Sequence, residues 1–226
     1  RDAQESRGLG DVYKRQTKAP EKGLVCHVAT VASGVLTVGM AVSAQVDVKR
    51  RACIARNHTC THILHAALRQ VLGAHVKQAG SYVGPDRLRF DFTHFESVTP
   101  EQLKQVEELA NSVIMSATET NIFETSLAKA REEGVTALFG EKYGDMVRVV
   151  KVGDFSSELC GGCHVANTAE IGLVKIVSES SVGANLRRIE AFTSYDALTY
   201  LNGFEHQMKE PVSYTHLRAH ETPEHL

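Results

Sequence analysis

Residues 57–65 read Asn57-His-Thr-Cys-Thr-His-Ile-Leu-His65, and residues 158–164 read Glu158-Leu-Cys-Gly-Gly-Cys-His164. The first stretch has an apolar pattern typical of a helix, so His58 and His62, at i and i+4, project from one face. In the second stretch, two glycines permit a tight turn that brings Cys160 and His164 to a common point. Three imidazoles and one thiolate suit a tetrahedral zinc ion. The two stretches together predict one metal site.

Spacing alone leaves other ligands and other chemistries open. His65 lies one turn beyond His62, and Cys163 forms a C-x-x-C pair with Cys160 that is compatible with redox chemistry. A thioredoxin-like motif, however, normally begins a helix and carries no trailing histidine. A metalloprotease H-E-x-x-H motif needs glutamate where this chain has Thr59. No spacing in the chain supports a serine or cysteine triad.

Composition and charge indicate an ordinary globular protein. The chain has 226 residues, of which 42% are hydrophobic and 23% are charged. It has no run of 18 apolar residues and no secretory signal pattern, which argues against a membrane partner. Five cysteines, an odd number, favour a reducing compartment and predict a cytoplasmic location. The net charge of −2 gives no basic stripe, so for a nucleic-acid substrate we expect other parts of a larger protein to supply most of the affinity.

The two ends differ from the middle of the chain. Residues 1–16 have no apolar periodicity, and residues 211–226 are polar and without pattern. Both resemble translated adapter sequence, so we expect disorder or arbitrary structure there. His216, His220 and His225 have the chemistry of metal ligands, but they lie in this foreign-looking end.

The periodicity between the two ends predicts a mixed α+β fold. Strands are expected at 25–31, 35–38, 40–48, 78–83, 87–92, 146–152, 172–178 and 186–193. Helices are expected at 54–72, after the N-cap Thr99 as far as 114, at about 126–133 with its end at Gly134, and at 195–209. The early strands are too few to bury a core alone, so we expect them to pack on later elements or to be part of a larger barrel.

Several strings of the sequence carry a close family resemblance. They are Arg56-Asn-His-Thr-Cys-Thr-His-Ile-Leu-His-Ala-Ala-Leu-Arg-Gln-Val-Leu-Gly73, Gln78-x-Gly-Ser81, Pro85-Asp-Arg-Leu-Arg-Phe-Asp-Phe-Thr-His94, Leu138-Phe-Gly-Glu-Lys-Tyr-Gly-Asp145, Ser157-Glu-Leu-Cys-Gly-Gly-x-His164 and Arg187-Arg-Ile-Glu-Ala191. From about residue 23 to 205 the chain resembles the editing region of alanyl-tRNA synthetases. The resemblance implies a partial small β-barrel at 17–54, an alanyl/threonyl-type editing core at 55–205 and the start of a helical linker at 206–210.

The resemblance also implies a function, which is hydrolysis of the ester in tRNA(Ala) wrongly charged with serine or glycine. The partners implied are the 3′ end of tRNA(Ala) and the remaining domains of a full-length synthetase. The aminoacylation domain is expected to lie outside this chain, so we expect no tRNA charging. A free-standing editing protein and a non-catalytic, zinc-stabilised RNA-binding module are the alternatives.

Individual site residues follow from the same resemblance. It implies one Zn²⁺ ion bound by His58, His62, Cys160 and His164.

Gln78 and Thr61 match family positions that orient substrate and discriminate the seryl hydroxyl; a turn residue and helix back-bonding are the alternatives. Gly161, Gly162, Arg187 and Arg188 are the expected substrate or tRNA contacts, with a salt bridge as the alternative for the two arginines. The family more often has Ala and Thr where this chain has Cys60 and Cys163, and the second thiol lies beside the expected metal.

Overall fold

The computed structural model describes residues 3–8, 10–21, 24–137 and 143–204. In these ranges the chain forms eleven strands, four α-helices and a short 3₁₀ helix at Thr168–Ile171. Three separate sheets alternate with the helices, which confirms the mixed α+β class.

The first sheet is built entirely from the N-terminal part of the chain. Its strands are β1 (Ala3–Gly8), β2 (Gly10–Glu21), β3 (Leu24–Val31) and β4 (Ala44–Val46), in the antiparallel order β3-β2-β1-β4. We expected disorder or arbitrary structure for residues 1–16, whereas the described residues in that range form paired strands. Backbone pairing needs no apolar pattern in the sequence. Over the described residues the sheet is open, so the partial β-barrel is not confirmed.

Two of the early strand predictions were wrong in extent. Residues 35–38 have no strand, and of 40–48 only Ala44–Val46 is paired. The apolar side chains here stay in contact with solvent, with Val35 and Val42 73% and 68% exposed. Without burial, alternation alone gives too little free energy to fix a strand.

The long helix α1 (Val48–Leu72) carries the histidine stretch. It begins six residues before the predicted start, because the Asp47 side chain caps it by accepting a hydrogen bond from the Arg50 amide at 2.9 Å. It ends at Gly73, whose φ of 117° favours glycine. Its buried face begins at Ala55, where the hydrophobic core of the protein also begins.

The second sheet packs against α1. It has the antiparallel order β10-β11-β6-β5, formed by β5 (Gln78–Val83), β6 (Leu88–Thr93), β10 (Val174–Gly183) and β11 (Leu186–Thr193). Phe90 and Phe92 point from β6 into the core and are fully buried. Truncating either to alanine would cost about 3–5 kcal/mol.

The helix α2 (Pro100–Met115) packs against α1 and β10. Its predicted start is confirmed, because Thr99 and Gln102 form a reciprocal capping box with proline in the first turn. Val106, Ala110 and Ile114 form its buried stripe.

The third sheet, in the order β7-β8-β9, holds the loop that carries Cys160. Its strands are β7 (Thr120–Ser126), β8 (Met146–Val152) and β9 (Ser156–Leu159), and the helix α3 (Leu127–Glu132) packs on it. Strands β7 and β9 were not predicted, since β7 is largely exposed and β9 has only four residues. Because β9 ends at Leu159, the next residue leaves the sheet with a fixed direction.

The described chain ends in a helix, α4, at residues 194–204. The predicted continuation to 209, the linker at 206–210 and the end segment 211–226 with its three histidines lie outside the described residues. Among the described helices, none combines the length and apolar character that a membrane crossing needs.

Candidate metal centre and adjoining cleft

Helix α1 contributes two imidazoles to the site. His58 and His62 lie one turn apart, with ring centroids 5.4 Å from each other. His62 is 5% exposed and His58 is partly buried, so the pair faces the protein interior rather than solvent.

The loop after β9 contributes the thiol and the third imidazole. The Arg148 guanidinium donates hydrogen bonds from Nη1 to the carbonyl oxygens of Cys160 and Gly162, at 2.7 and 2.9 Å. The Cys160 amide in turn donates to the Arg148 carbonyl at 3.0 Å. These bonds hold both ends of the turn against β8, which fixes the position of the Cys160 side chain.

Gly162 is the position where this loop passes closest to α1. A Cβ atom at residue 162 would overlap the His58 ring at Cε1 and Nδ1, whereas a Cβ at Gly161 would meet nothing within 4 Å. The loop therefore needs glycine at 162 for close approach, and the neighbouring glycine has no such constraint.

The four side chains converge on one point although they come from segments about a hundred residues apart. Their ligand atoms all lie within 4.8 Å of one another. Cys160 Sγ lies 3.4 Å from His58 Nε2 and 3.3 Å from His164 Nε2. The His164 centroid lies 4.4 Å from that of His58 and 4.8 Å from that of His62. Three nitrogens and one sulfur around a common centre fit a tetrahedral zinc ion.

The outer ring nitrogens of two of these histidines have partners that orient them. Thr59 Oγ1 lies 3.1 Å from His164 Nδ1, and the same oxygen accepts a hydrogen bond from the Val165 amide at 3.1 Å. Glu158 Oε2 lies 3.3 Å from His62 Nδ1 but is not aligned as a hydrogen bond. Such partners are typical of histidines that bind metal through the other nitrogen.

The electrostatics of the pocket keep these imidazoles neutral. Burial lowers the pKa of His58, and the nearby Arg148 charge lowers it further. Burial, followed by the neighbouring His164 and His58, holds the pKa of His62 well below its usual range. Burial and then His58 and Arg148 lower the pKa of His164 to about 3. Neutral imidazole is the form that binds metal, so the donor set fits zinc near neutral pH.

The two competing ligands that spacing left open do not join this group. His65 instead faces Glu158, with its Nδ1 2.8 Å from Oε1. Cys163 packs against the hydrophobic core. Cys60 is fully buried, and burial raises the pKa of its thiol, so it behaves as a small apolar core residue.

The remaining predicted residues fall in different places. The Thr61 hydroxyl donates to the Asn57 carbonyl at 2.8 Å, which is the back-bonding alternative, and its oxygen can still accept a hydrogen bond. Gln78 begins β5 and donates weakly to Ser81 Oγ at 3.3 Å.

The two predicted RNA-contact arginines both form ion pairs. Arg187 pairs with both oxygens of Glu179, and Arg188 pairs with both oxygens of Asp91 at 2.7 and 2.8 Å. The geometry thus agrees with the salt-bridge alternative for both arginines.

A cleft of about 310 Å³ is lined by His65, which lies one turn beyond His62 on α1. Its lining includes Gln78, Thr136 and the buried His65, together with the cations Arg69 and Lys77. His65 is in contact with Glu158, whose other carboxylate oxygen faces the metal-site residue His62.

Comparison with known proteins agrees with this geometry. Residues 147–190 match the family described as the threonyl and alanyl tRNA synthetase second additional domain. Over 211 residues the chain is 54% identical to the alanine–tRNA ligase of Pelotomaculum thermopropionicum. The aligned stretch covers 93% of this chain and 24% of that protein. This chain is similar to one segment of alanine–tRNA ligases.

Other members of the same group agree. The alanine–tRNA ligase of Desulforamulus reducens is 55% identical over 202 residues, or 89% of this chain and 23% of that protein. That of Shouchella clausii is 54% identical over 191 residues, or 84% and 22%. The predicted resemblance is confirmed, and the chain spans about a quarter of the length of the alanine–tRNA ligases that it matches.

Sequence reasoning missed Thr59, Arg148 and Glu158. Thr59 was noted only because it stands where a protease would have glutamate. The contact from Arg148 to Gly162 and that from Glu158 to His65 join residues 14 and 93 positions apart. No short motif encodes such pairings, so only the fold reveals them.

Proposed function

We propose that this chain is the editing region of an alanine–tRNA ligase and hydrolyses the ester of Ser-tRNA(Ala) or Gly-tRNA(Ala) at a zinc site. The observation that carries the proposal is the convergence of His58, His62, Cys160 and His164 within 4.8 Å, in a chain similar to alanine–tRNA ligases. An aminoacyl ester is already activated. The site therefore has to position the ester carbonyl, admit water and bind the amino acid.

Zinc bound by these four residues would be four-coordinate, so it would supply Lewis acidity to the ester by accepting a fifth ligand or by exchanging one of the four. The protein residues keep the donors in the required form. Thr59 orients the imidazole of His164, the Glu158 carboxylate lies beside that of His62, and Arg148 holds the loop that carries Cys160. The Gly162 amide donates to Cys160 Sγ at 3.4 Å, which favours the thiolate.

Gln78 and Thr61 are the residues that we assign to the substrate. Gln78 lines the cleft, and its only side-chain hydrogen bond to the described residues is the weak one to Ser81, so its amide can orient the ester or water. The Thr61 oxygen keeps acceptor capacity for the seryl hydroxyl after donating to Asn57. Correctly charged Ala-tRNA(Ala) lacks that hydroxyl and therefore escapes hydrolysis. Glycine makes no such contact either, so Gly-tRNA(Ala) must be accepted because the site tolerates a smaller amino acid.

The loop and the paired arginines complete the proposed binding surface. A Cβ at Gly161 would meet nothing within 4 Å, so we assign the space beside this residue to the aminoacyl group. Gly162 keeps the loop close to His58. Arg187 and Arg188 are held by carboxylates, so a contact to a tRNA phosphate would require each to share its guanidinium.

The domain assignment and the partners are also proposals. We assign residues 17–54 to a barrel subdomain, 55–205 to the editing core and 206–210 to a linker, with tRNA(Ala) and the remaining synthetase domains as partners in the cytoplasm. The buried core beginning at Ala55 supports the second boundary.

The test is deacylation of Ser-tRNA(Ala) by the zinc-loaded chain. We expect hydrolysis by the wild type and by Cys163→Ala, whose thiol is outside the donor group, but not by Cys160→Ala. Ala-tRNA(Ala) should remain intact in all three reactions. An inert zinc-loaded wild type would refute the hydrolytic function, and undiminished hydrolysis by Cys160→Ala would refute the metal assignment.

A further inference from the structure

The cleft beside the metal centre has an unusual charge balance for this protein. Arg69 and Lys77 line it, and neither side chain has an ion pair or hydrogen bond within the described residues. Among the residues that the structure describes, no aspartate or glutamate belongs to its lining. Arg187 and Arg188, by contrast, are each bonded to a carboxylate. Within the described part of the chain, the cleft therefore presents two positive charges that no carboxylate of its lining compensates.

His65 supplies a second polar feature at the same place. The residue is 2% exposed, and its Nδ1 lies 2.8 Å from Glu158 Oε1. When Nδ1 donates its proton to that carboxylate, Nε2 is left as an acceptor. This Nε2 is buried and has no hydrogen-bond partner in the described part of the chain. Buried polar atoms are normally satisfied, so this nitrogen needs a hydrogen-bond donor, and a ligand hydroxyl can supply one.

The spacing of these groups suits one nucleotide of RNA. His65 and Arg69 are at i and i+4 on α1 and so lie on the same face, about 5–6 Å apart at Cβ. A ribonucleotide carries a phosphodiester, which cations bind, and a 2′-hydroxyl, which can donate to an imidazole nitrogen.

We propose that this cleft is a ribonucleotide subsite, in which Arg69 and Lys77 bind a phosphodiester of the tRNA acceptor end and His65 Nε2 accepts a hydrogen bond from a ribose 2′-hydroxyl. The inference rests on the proposed function, because it takes tRNA as the substrate. It assigns the phosphate contact to the two unpaired cations of the cleft rather than to the paired Arg187 and Arg188. The chain thereby recognises RNA locally in spite of its net charge of −2.

The first test measures how the affinity of the full, zinc-loaded chain for an acceptor-stem RNA hairpin depends on salt concentration. The hairpin ends in CCA and carries no amino acid, and binding is monitored by fluorescence anisotropy. Arg69→Gln and Lys77→Gln should each lower the slope of log K against log salt by about 0.7 per lost phosphate contact. Arg69→Lys, which keeps the charge, should restore most of it. Arg51→Gln, about 27 Å away along α1 by helical rise, and Lys104→Gln on α2 are the matched controls and should leave the slope unchanged.

The ligand-side test replaces ribose by deoxyribose at single positions of the CCA end. One replacement should weaken wild-type binding by about two- to tenfold, the size of one hydrogen bond, and the same replacement should have no effect on His65→Gln. Circular dichroism and zinc content verify that the variants are folded. If His65→Gln does not fold, the wild-type deoxy series and the two cation variants still decide.

Three results would overturn the subsite. They are slopes of Arg69→Gln and Lys77→Gln equal to those of the controls, equal affinity of the ribo and deoxy ligands, and no RNA binding by the wild type. Because the hairpin carries no amino acid, none of these measurements needs ester hydrolysis. A chain that binds RNA through the cleft yet leaves Ser-tRNA(Ala) intact would refute the hydrolytic function and leave the subsite standing.

Discussion

Replacing Gly162 by alanine should dismantle the metal centre, whereas replacing Gly161 should not. The two glycines are adjacent in the same loop, and neither has a positive φ, so backbone strain does not distinguish them. The difference is steric. A Cβ at 162 would overlap Cε1 and Nδ1 of His58, and a Cβ at 161 would meet no atom within 4 Å.

The expected magnitude follows from the contact distances. Carbon atoms in contact are about 3.5–4.0 Å apart, so relieving the overlap moves the His58 ring or the loop by more than about 1 Å. A zinc–nitrogen bond is about 2.0–2.1 Å long, and a shift of that size removes one ligand. We expect Gly162→Ala to lower zinc affinity by at least about 100-fold, the upper end of the effect of changing only a ligand's partners.

Competition with a chromophoric zinc chelator measures this affinity for the wild type and both variants. Gly161→Ala should bind zinc as the wild type does. Deacylation of Ser-tRNA(Ala) at saturating zinc then separates a lost metal from a blocked pocket. Equal zinc affinity of Gly162→Ala and Gly161→Ala would refute the placement of the loop against His58.

Three further predictions concern the surroundings of the same centre. Glu158→Gln should weaken zinc binding by about 10–100-fold, because the carboxylate facing His62 is lost. Wild-type zinc affinity of this variant in the chelator assay would contradict the prediction. Removing zinc with a chelator should lower the melting temperature by about 10 °C if zinc was present at about 1,000 times its Kd, as calorimetry would show, and an unchanged transition would exclude a stabilising metal. The metal-free chain should lose stability on acidification: the pKa of His164 is about 3 in the folded state against about 6.5 unfolded, so the unfolded chain takes up the proton first, at a cost of about 2 kcal/mol between pH 7 and 5. Urea titrations that give equal unfolding free energies at the two pH values would refute the burial of this ring.

The sequence predicted the parts of the fold that have strong local signals. The capping box at Thr99, the apolar stripes of α1 and α2 and the alternation of β6 all reappear in the structure. The same reasoning failed where tertiary contacts decide, as in the exposed β7 and the four-residue β9.

The candidate site divides in the same way. His58 and His62 are visible as a helical pair, and Cys160 and His164 as a loop pair, but spacing alone left His65 and Cys163 as competing ligands, and the family resemblance selected the four donors. The orientation of these donors depends on Thr59, Arg148 and Glu158, which act through contacts between segments distant in sequence. The cleft likewise exists only because β5 brings Lys77 and Gln78 beside the end of α1.

X-ray absorption at the zinc K-edge of the zinc-loaded chain identifies the atoms that bind the metal. We expect one zinc ion per chain with a first shell of three nitrogens at about 2.0–2.1 Å and one sulfur at about 2.3 Å. Cys160→Ala should lose the sulfur shell, and Cys163→Ala should retain it. A wild-type shell without sulfur, or a sulfur signal that survives in Cys160→Ala, would contradict a zinc site formed by His58, His62, Cys160 and His164.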